Sequence, residues 1–172
     1  MIDMSEITAI AEIHIPGFRE AVDVVAREKK YLAFLEAPSL ESTQAFVMNN
    51  IKQGYPQFVA LDANSVIGWC DIIPNRSRPV HYHCGTFGIG LLPEFRGKGI
   101  GRALMLRTIA AAFVFGITRV ELTVREKNSN AIGLYKNLGF EIEGLHRNAV
   151  CVDAQYENLY SMALLRISPN AP

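Results

Sequence analysis

A glycine-rich stretch at residues 88–102, GIGLLPEFRGKGIGR, constrains the fold of this 172-residue chain more than any other feature. An apolar segment ends at Pro93, glycines alternate at Gly97, Gly99 and Gly101, and a helical apolar pattern follows. This order predicts a strand, a tight turn and a helix N-terminus, where successive backbone N–H groups and the helix dipole favour an anion. Glycine also lets a ligand approach the backbone closely, because it has no Cβ atom. We therefore predict a phosphate or pyrophosphate site at this turn.

Two better-known phosphate-binding loops fit the stretch less well. A Walker A loop requires GxxxxGK followed by Ser or Thr, and the chain contains no such sequence. A dinucleotide-binding turn requires GxGxxG with an acidic residue roughly 20 positions later. The glycines here follow G-x-G-x-G, Leu104 stands where a later glycine is expected, and Glu121 lies near the acidic position. This near-match gives only weak support to a dinucleotide site.

The charge distribution agrees with an anion site in the second half of the chain. Lysine plus arginine number 17 and aspartate plus glutamate number 17, so the formal net charge is zero. Residues 1–86 have a net charge of −3 and residues 87–172 a net charge of +3, and four of the basic residues surround the glycine turn: Arg96, Lys98, Arg102 and Arg107. A neutral chain lacks the overall basic charge typical of proteins that bind nucleic acid or anionic membranes. We predict neither kind of partner.

Cysteine content and the N-terminal sequence indicate a cytoplasmic protein. Cys70, Cys84 and Cys151 are odd in number and widely spaced, which argues against a disulfide framework and for a reducing compartment. They form no CxxC pair, and we predict no metal site. The first residues contain acids where a signal peptide has basic residues, and the longest apolar run, 109–115, is far shorter than the roughly 20 residues of a membrane span.

Apolar periodicity predicts alternating helices and strands around one sheet, an α/β fold. The strands are expected near 6–13 and at 57–61, 66–73, 87–92, 120–124, 140–143 and 156–164, with the last two antiparallel. The helices are expected at 16–31, 39–53, 99–115 and 130–137. Their predicted buried faces include Ala21, Val24 and Val25 in the first helix and Leu106, Ile109, Ala110 and Phe113 in the third. Residues 169–172 are expected to form a frayed tail.

At these residues the chain resembles the GCN5-related N-acetyltransferase (GNAT) family, which binds acetyl-CoA. The family hallmark, [Gln/Arg]-x-x-Gly-x-[Gly/Ala], is matched in full by the segment 96–101. The resemblance covers about residues 56–165. It continues in a pattern most similar to the small-molecule or amino-acid acetyltransferase branch: Val124, Asn128, Ala131, Ile132, Tyr135, Gly139, Phe140, Glu141, Glu143 and Gly144.

The resemblance implies a fold and a cofactor site. The expected GNAT fold is a mixed, mostly antiparallel sheet, flanked by about four helices and splayed between its fourth and fifth strands, where the pantetheine arm lies. Residues 1–172 would form a single N-acetyltransferase domain with its cofactor core at about 56–165. Gly88 and Gly90 inside the fourth strand indicate close approach of a ligand, or a bend in the sheet. The implied acetyl-CoA-binding residues are Ile89, Gly90, Leu91, Arg96, Gly97, Lys98, Gly99, Ile100, Gly101, Arg102, Asn128 and Tyr135.

The resemblance also implies a general acid. Tyr135 matches the family tyrosine that protonates the departing thiolate, and a phenol with an ordinary pKa near 10 is protonated at neutral pH. Asn128 would bond the cofactor arm and cap the helix that bears Tyr135.

The general base is left open by the sequence. Relatives have a glutamate where this chain has Thr123 or Thr86. Glu121 lies two residues before Thr123 and so shares its strand face. His83 precedes the fourth strand, and histidine is a residue type suited to proton transfer near neutral pH. We name Glu121 and His83 as alternative candidates, with a water chain as a third.

The function that follows is acetyl-CoA-dependent acetylation of a primary amine on a small molecule, with amino acids among the acceptors. Direct attack by the amine is favoured, because no cysteine lies near the motif. Alternatives are acetylation of a protein N-terminus or lysine, and a non-catalytic acyl-CoA sensor; monomer and homodimer both stay open. The candidate walls of the acceptor pocket are Glu28, Tyr31, Phe34, Glu36 and Tyr156.

Overall fold

The computed structural model describes residues 7–166, which form one seven-stranded sheet with helices on both faces. The strand order is β1-β2-β3-β4-β5-β7-β6, and every neighbouring pair is antiparallel except β4 and β5, which are parallel. The strands are β1 (Ile7–Ala9), β2 (Gln57–Asp62), β3 (Ser65–Pro74), β4 (Cys84–Leu91), β5 (Arg119–Arg125), β6 (Glu141–Val152) and β7 (Gln155–Leu165). This mixed, mostly antiparallel sheet is the one predicted.

Four α-helices accompany the sheet within the described residues. They are α1 (Ile15–Arg27), α2 (Leu40–Gln53), α3 (Ile100–Phe115) and α4 (Ser129–Asn137), and short 3₁₀ turns span Glu12–His14, Pro79–His81 and Pro93–Phe95. Side chains cap the N-termini of two helices. At α2 the Ser42 N–H donates to the Ser39 hydroxyl (3.1 Å), and at α4 the Ala131 N–H donates to the side-chain Oδ1 of Asn128 (3.3 Å). None of the helices in this part of the chain is both long and apolar enough to cross a membrane.

Two hydrophobic cores hold the layers together, one on each face of the sheet. The first core joins α3 and α4 to the sheet through residues such as Ile72, Leu104 and Met162. The second core joins α1 and α2 to the opposite face through residues such as Val25, Val47 and Trp69. Neighbouring residues of a strand point to opposite faces, so β3 contributes to both cores, with Cys70 and Ile72 in the first and Val66 and Trp69 in the second.

The predicted buried faces of two helices are partly wrong. Val24 of α1 is 41% exposed, and Leu106 of α3 is 43% exposed. The buried residues of α3 are Ile100, Leu104, Met105, Thr108, Ile109 and Ala112. Because α3 is apolar on nearly all sides, its periodicity fits several faces, and only contact with the sheet decides which is buried.

Strand boundaries differ most in β6, which extends to Val152, beyond the predicted end at residue 143. Most of its side chains are exposed, so it lacks the apolar alternation by which strands are found in a sequence. At the other end of the chain, β1 covers only three residues of the predicted segment 6–13. Residue 6 and the predicted tail at 169–172 lie outside the described residues.

The sheet is splayed between β4 and β5, as predicted. The two strands pair only where Cys84–Thr86 of β4 lies beside Arg119–Glu121 of β5. From Phe87 to Leu91, β4 pairs with β3 on one side and has no strand partner among residues 7–166 on the other. The resulting opening is the central feature of the site.

Candidate active site

Backbone groups of β4 face the opening at alternate residues. The Leu92 N–H donates to the Ile67 carbonyl (2.9 Å), in register with the β3–β4 ladder. Hydrogen bonds of an antiparallel strand alternate in direction, so even-numbered residues of β4 bond to β3 and odd-numbered residues face the other way. The N–H and C=O groups of Ile89 and the N–H of Leu91 are therefore directed into the opening. This geometry fits the predicted role of both residues in holding an amide-containing arm.

The turn that follows β4 is a cluster of unused N–H donors. Among the described residues, the six backbone N–H groups from Gly97 to Arg102 donate to no protein acceptor, and the first helical bond is Ala103 N–H to Gly99 carbonyl (3.1 Å). Gly97 and Gly99 have φ of +72° and +86°, a conformation that favours glycine and turns successive N–H groups to one side.

The space around this turn is also open and free of competing acids. A Cβ atom at Gly97 or Gly99 would meet no heavy atom within 4 Å, and the first turn of α3 contains no acidic residue. Lys98 and Arg102 have exposed side chains beside the turn, whereas Ile100 buries its side chain and offers only its N–H. The residues present therefore fit a pyrophosphate group.

The Arg96 side chain, predicted to be one of the acetyl-CoA-binding residues, contacts other residues of the protein. Its Nε donates to the Leu91 carbonyl (2.9 Å), its other two nitrogens hold both oxygens of Glu28, and its guanidinium lies 4.9 Å from the Tyr31 ring centroid. The Glu28 carboxylate raises the pKa of Arg96. A guanidinium fork matches a carboxylate in this way, so Arg96 fastens the end of β4 to the residue that follows α1, and Glu28 is not a free acid of the acceptor pocket.

Packing explains the two glycines inside β4, and this revises the prediction for Gly90. A Cβ atom at Gly90 would lie 2.1 Å from the Trp69 ring, and its peptide groups belong to the set directed at β3. A Cβ atom at Gly88 would lie 3.0 Å from Oδ1 of Asp71. Both glycines thus make room for side chains of β3, which removes the main reason for assigning Gly90 to the cofactor.

Tyr135 lies on α4 and is buried against the rings of Phe87 and Phe140, at centroid distances of 5.7 Å and 5.8 Å. Its hydroxyl donates no hydrogen bond to any described residue, and burial raises the pKa of this phenol well above its usual value. Phe87 is the first residue of β4 beyond the paired segment, so Tyr135 is packed at the start of the opening on the α3–α4 face. Asn128 caps α4, which fixes the helix that positions Tyr135.

The two predicted base candidates, Glu121 and His83, do not lie beside the free segment of β4 that begins at Phe87. Glu121 lies opposite Thr86 at the last paired position, where Arg119 Nε donates to its carboxylate (3.0 Å) while also holding Glu143. His83 is exposed five residues before Gly88, about 16 Å along an extended strand, with Nε2 3.5 Å from the Cys84 sulfur. Within residues 7–166, no three His, Cys, Asp or Glu side chains are grouped to hold a metal ion.

Asp71 is a site residue that the sequence reasoning missed. It is 9% exposed on β3, directly opposite Gly88, and forms no hydrogen bond or ion pair with any residue of the described part of the chain. Burial raises the pKa of this carboxyl to about 7. The signal was available, since Asp71 is the one charged residue in the otherwise apolar β3 segment 66–73, VIGWCDII. An acid in a strand that is buried on both faces is costly and so indicates a function.

The free edge of β4 in this splayed sheet leads into a turn of N–H donors at residues 97–102. Such an arrangement can hold a long ligand with an amide-containing arm and a pyrophosphate. The sequence model of the acetyltransferase (GNAT) family matches residues 12–140, more than half of the chain. The chain therefore belongs to the acetyltransferase (GNAT) family, which confirms the predicted family and fold.

Characterised relatives and solved structures agree with this assignment. The chain is 33% identical to an L-amino acid N-acetyltransferase of Escherichia coli (strain K12), over 67% of this chain and 71% of that protein. It is 33% identical to an L-methionine sulfoximine/L-methionine sulfone acetyltransferase of Pseudomonas aeruginosa, over 61% of this chain and 62% of that protein. A putative acetyltransferase of Salmonella typhimurium, solved with its cofactor acetyl-CoA, shares the fold with a TM-score of 0.89 at 20% identity, covering 96% of each chain.

Proposed function

We propose that this protein is an acetyl-CoA-dependent N-acetyltransferase that acts on the primary amine of a small, amino-acid-like molecule. The observation that carries the proposal is the run of six unpaired N–H groups at Gly97–Arg102, which continues the free edge of β4. The acceptor class is supported by the Escherichia coli and Pseudomonas aeruginosa relatives, whose names specify amino acids or their analogues. We further propose that the whole chain acts as one domain, since both halves contribute strands to the sheet.

The residues of the opening have separate tasks in binding acetyl-CoA. The N–H groups at 97–102, with Lys98 and Arg102 beside them, would hold the pyrophosphate, and the backbone of Ile89 and Leu91 would bond the amides of the pantetheine arm. When bound, acetyl-CoA supplies an acetyl thioester, the electrophile for an amine. The Arg96 contacts with the Leu91 carbonyl and Glu28 would keep the end of β4 in position for this binding.

Tyr135 is proposed as the general acid. Burial keeps its phenol neutral, so its O–H stays a donor for the departing sulfur. A cysteine-bound acetyl intermediate is disfavoured, because Cys70 is fully buried and burial raises the pKa of its thiol well above the usual value. Direct attack by the amine is the route that these properties support.

The acceptor cleft is proposed on the α1–α2 face of the opening. Arg125 of β5 donates to the carbonyls of Lys29 and Leu32, and Lys29 pairs with Asp153 at the tip of the β6–β7 hairpin (2.9 Å). These contacts join the segment after α1 and the hairpin to Arg125, which shares its face of β5 with the exposed Thr123. The free cysteines support a reducing, cytoplasmic setting. A second copy in a homodimer would have the exposed edge of β6 available for pairing, which light scattering can test.

Two assays test this function. Saturating CoA should raise the melting temperature, since a ligand that binds only the native state stabilises it. Thiol release from acetyl-CoA should then be measured over a panel of L-amino acids, L-methionine sulfone, polyamines and N-terminal peptides. Release with amino acids supports the proposal, and release with peptides alone supports a protein acceptor. CoA binding without release from any amine would indicate a non-catalytic sensor.

The role of Tyr135 is tested by Tyr135→Phe with Tyr55→Phe as the matched control. The variant should have a kcat roughly 100-fold lower and nearly unchanged CoA affinity, because only the donated proton is lost. Tyr55 packs against Phe115 away from the opening, so its variant should keep wild-type kcat. A Tyr135→Phe enzyme that loses CoA binding at unchanged kcat would contradict the acid role.

A further inference from the structure

We infer that Asp71 is the general base of this enzyme, taking the proton from the ammonium group of the acceptor before the amine attacks. The inference rests on the proposed N-acetyltransferase function. It addresses the general base, which the sequence left open between Glu121, His83 and a water chain.

The geometry of β3 and β4 puts the Asp71 carboxylate beside the opening. Asp71 is the cross-strand partner of Gly88, and its Oδ1 is 3.0 Å from the point where a Cβ of Gly88 would stand. The carboxylate therefore extends over the Cα of Gly88, where any other residue would place a side chain. On either side of Gly88, Phe87 and Ile89 direct their peptide groups into the opening. The Asp71 carboxylate therefore lies over β4, the strand whose other edge is free.

Asp71 and Tyr135 lie on opposite faces of β4 at the same level. Tyr135 packs on Phe87 from the α3–α4 face, and Asp71 lies against Gly88 on the α1–α2 face. A proton acceptor on one side of the opening and a proton donor on the other match the two proton transfers of the reaction. The α1–α2 face is also the side where the proposed acceptor cleft lies, with the exposed Thr86 next to Gly88 on the same face of β4.

The surroundings of Asp71 keep its carboxylate available. Its neighbours on β2 and β4 are the uncharged Gln57 and Gly88, and α1 packs over this face with apolar side chains such as Phe18 and Val22. Cys70, the adjacent titratable group, points to the other face of the sheet.

Charged side chains on the flanking elements are paired with one another. Glu121 is held by Arg119, which lies on the same strand, β5. Glu28, the residue that follows α1, is held by Arg96. With no cation beside it among the described residues, Asp71 has a pKa of about 7, raised by burial, which suits proton exchange at neutral pH. The carboxylate of Glu121, by contrast, is held by the Arg119 guanidinium at 3.0 Å.

The proton balance closes with these two residues. The acceptor ammonium transfers one proton from nitrogen to a carboxylate oxygen of Asp71, which leaves a neutral amine with a free electron pair. The C–N bond then forms as the thioester C–S bond breaks, and Tyr135 gives its proton to the departing sulfur. A second proton leaves the nitrogen and restores the Tyr135 hydroxyl. Asp71 finally releases its proton to solvent.

The test compares Asp71→Asn with the wild type, using the amine that gives most thiol release in the panel described above. For the wild type, kcat/KM for the amine should rise with pH through an ionisation near pH 7. In Asp71→Asn it should be roughly 100-fold or more lower at pH 7 and lack that ionisation. Calorimetry should show weaker amine binding to the enzyme–CoA complex and unchanged CoA affinity. Asp62→Asn, the same change at an exposed acid on β2, should match the wild type.

Several outcomes would overturn the assignment. Asp71→Asn with wild-type kcat/KM and pH profile would do so, as would loss of the ionisation near pH 7 in Glu121→Gln or His83→Gln instead. If Asp71→Asn does not fold, the wild-type profile decides, because absence of an ionisation near pH 7 excludes Asp71. A wild type that releases no thiol with any amine refutes the proposed function itself, and that result is distinct from all of these.

Discussion

The unpaired Asp71 carboxylate should make this protein less stable as the pH rises. Burial raises the pKa of Asp71 from its ordinary 3.8 to about 7 in the folded state. Between these values the native protein holds a proton that the unfolded chain releases, so the free energy of unfolding falls with increasing pH. The total loss is ~4 kcal/mol at ~1.4 kcal/mol per tenfold change in proton affinity, and ~3 kcal/mol of it falls between pH 5 and pH 8. Replacing Asp71 with Asn removes this loss.

Urea unfolding of the wild type and of Asp71→Asn, measured from pH 5 to pH 8, tests this reasoning. Trp69, the only tryptophan, is buried two residues before Asp71 and reports unfolding by fluorescence. The stability of the variant relative to the wild type should increase across this range by ~3 kcal/mol, an effect several times larger than typical extrapolation errors. Other ionisable groups cancel in the difference between the two proteins. Stabilities that run parallel from pH 5 to pH 8 would refute a protonated Asp71 in the folded state.

Three further substitutions test the packing of the opening. Gly90→Ala should lower the unfolding free energy by ~1–3 kcal/mol, because its Cβ would overlap the Trp69 ring; urea unfolding with an unchanged midpoint would contradict this. Gly99→Ala should cost ~1–2 kcal/mol, since its φ is +86°, and should weaken CoA binding by calorimetry, whereas unchanged stability and affinity would argue against the turn geometry. Arg96→Lys should cost ~1–3 kcal/mol, because an ammonium cannot bond the Leu91 carbonyl and both Glu28 oxygens together; a double-mutant cycle with Glu28→Gln should show coupling, and its absence would count against the ion pair.

Local sequence signals were sufficient for most of the elements and for the conformation of the glycine turn. The helix at α2 begins after Ser39, as its capping residues indicate, and α4 ends before Gly139 as predicted. The glycine turn could be identified because its conformation depends on the residues within it. Four of its six donors, those of residues 99–102, are free for the same local reason, since the first N–H groups of a helix lack intrahelical partners.

Roles that depend on a partner distant in the chain could not be found in this way. Arg96 was expected among the cofactor-binding residues, but its guanidinium contacts Glu28, 68 residues earlier. Gly90 was expected to admit a ligand, but its space is filled by Trp69 from the neighbouring strand. A sequence shows which residue lacks a side chain or has a charge, and the fold determines which atom lies opposite it.

The sequence by itself determined that this chain forms strands and helices around one sheet, that it belongs to an acetyltransferase family, and where a glycine turn precedes a helix N-terminus. These properties follow from periodicity, capping and turn conformation, all of which act over a few neighbouring residues. Only the tertiary structure decided that, within the described residues, the edge of β4 is free, Tyr135 and Asp71 flank it from opposite faces, and Asp71 has no hydrogen-bond or ion-pair partner. Burial and unpaired groups are properties of packing between distant segments, and the electrostatics of a site depend on that packing.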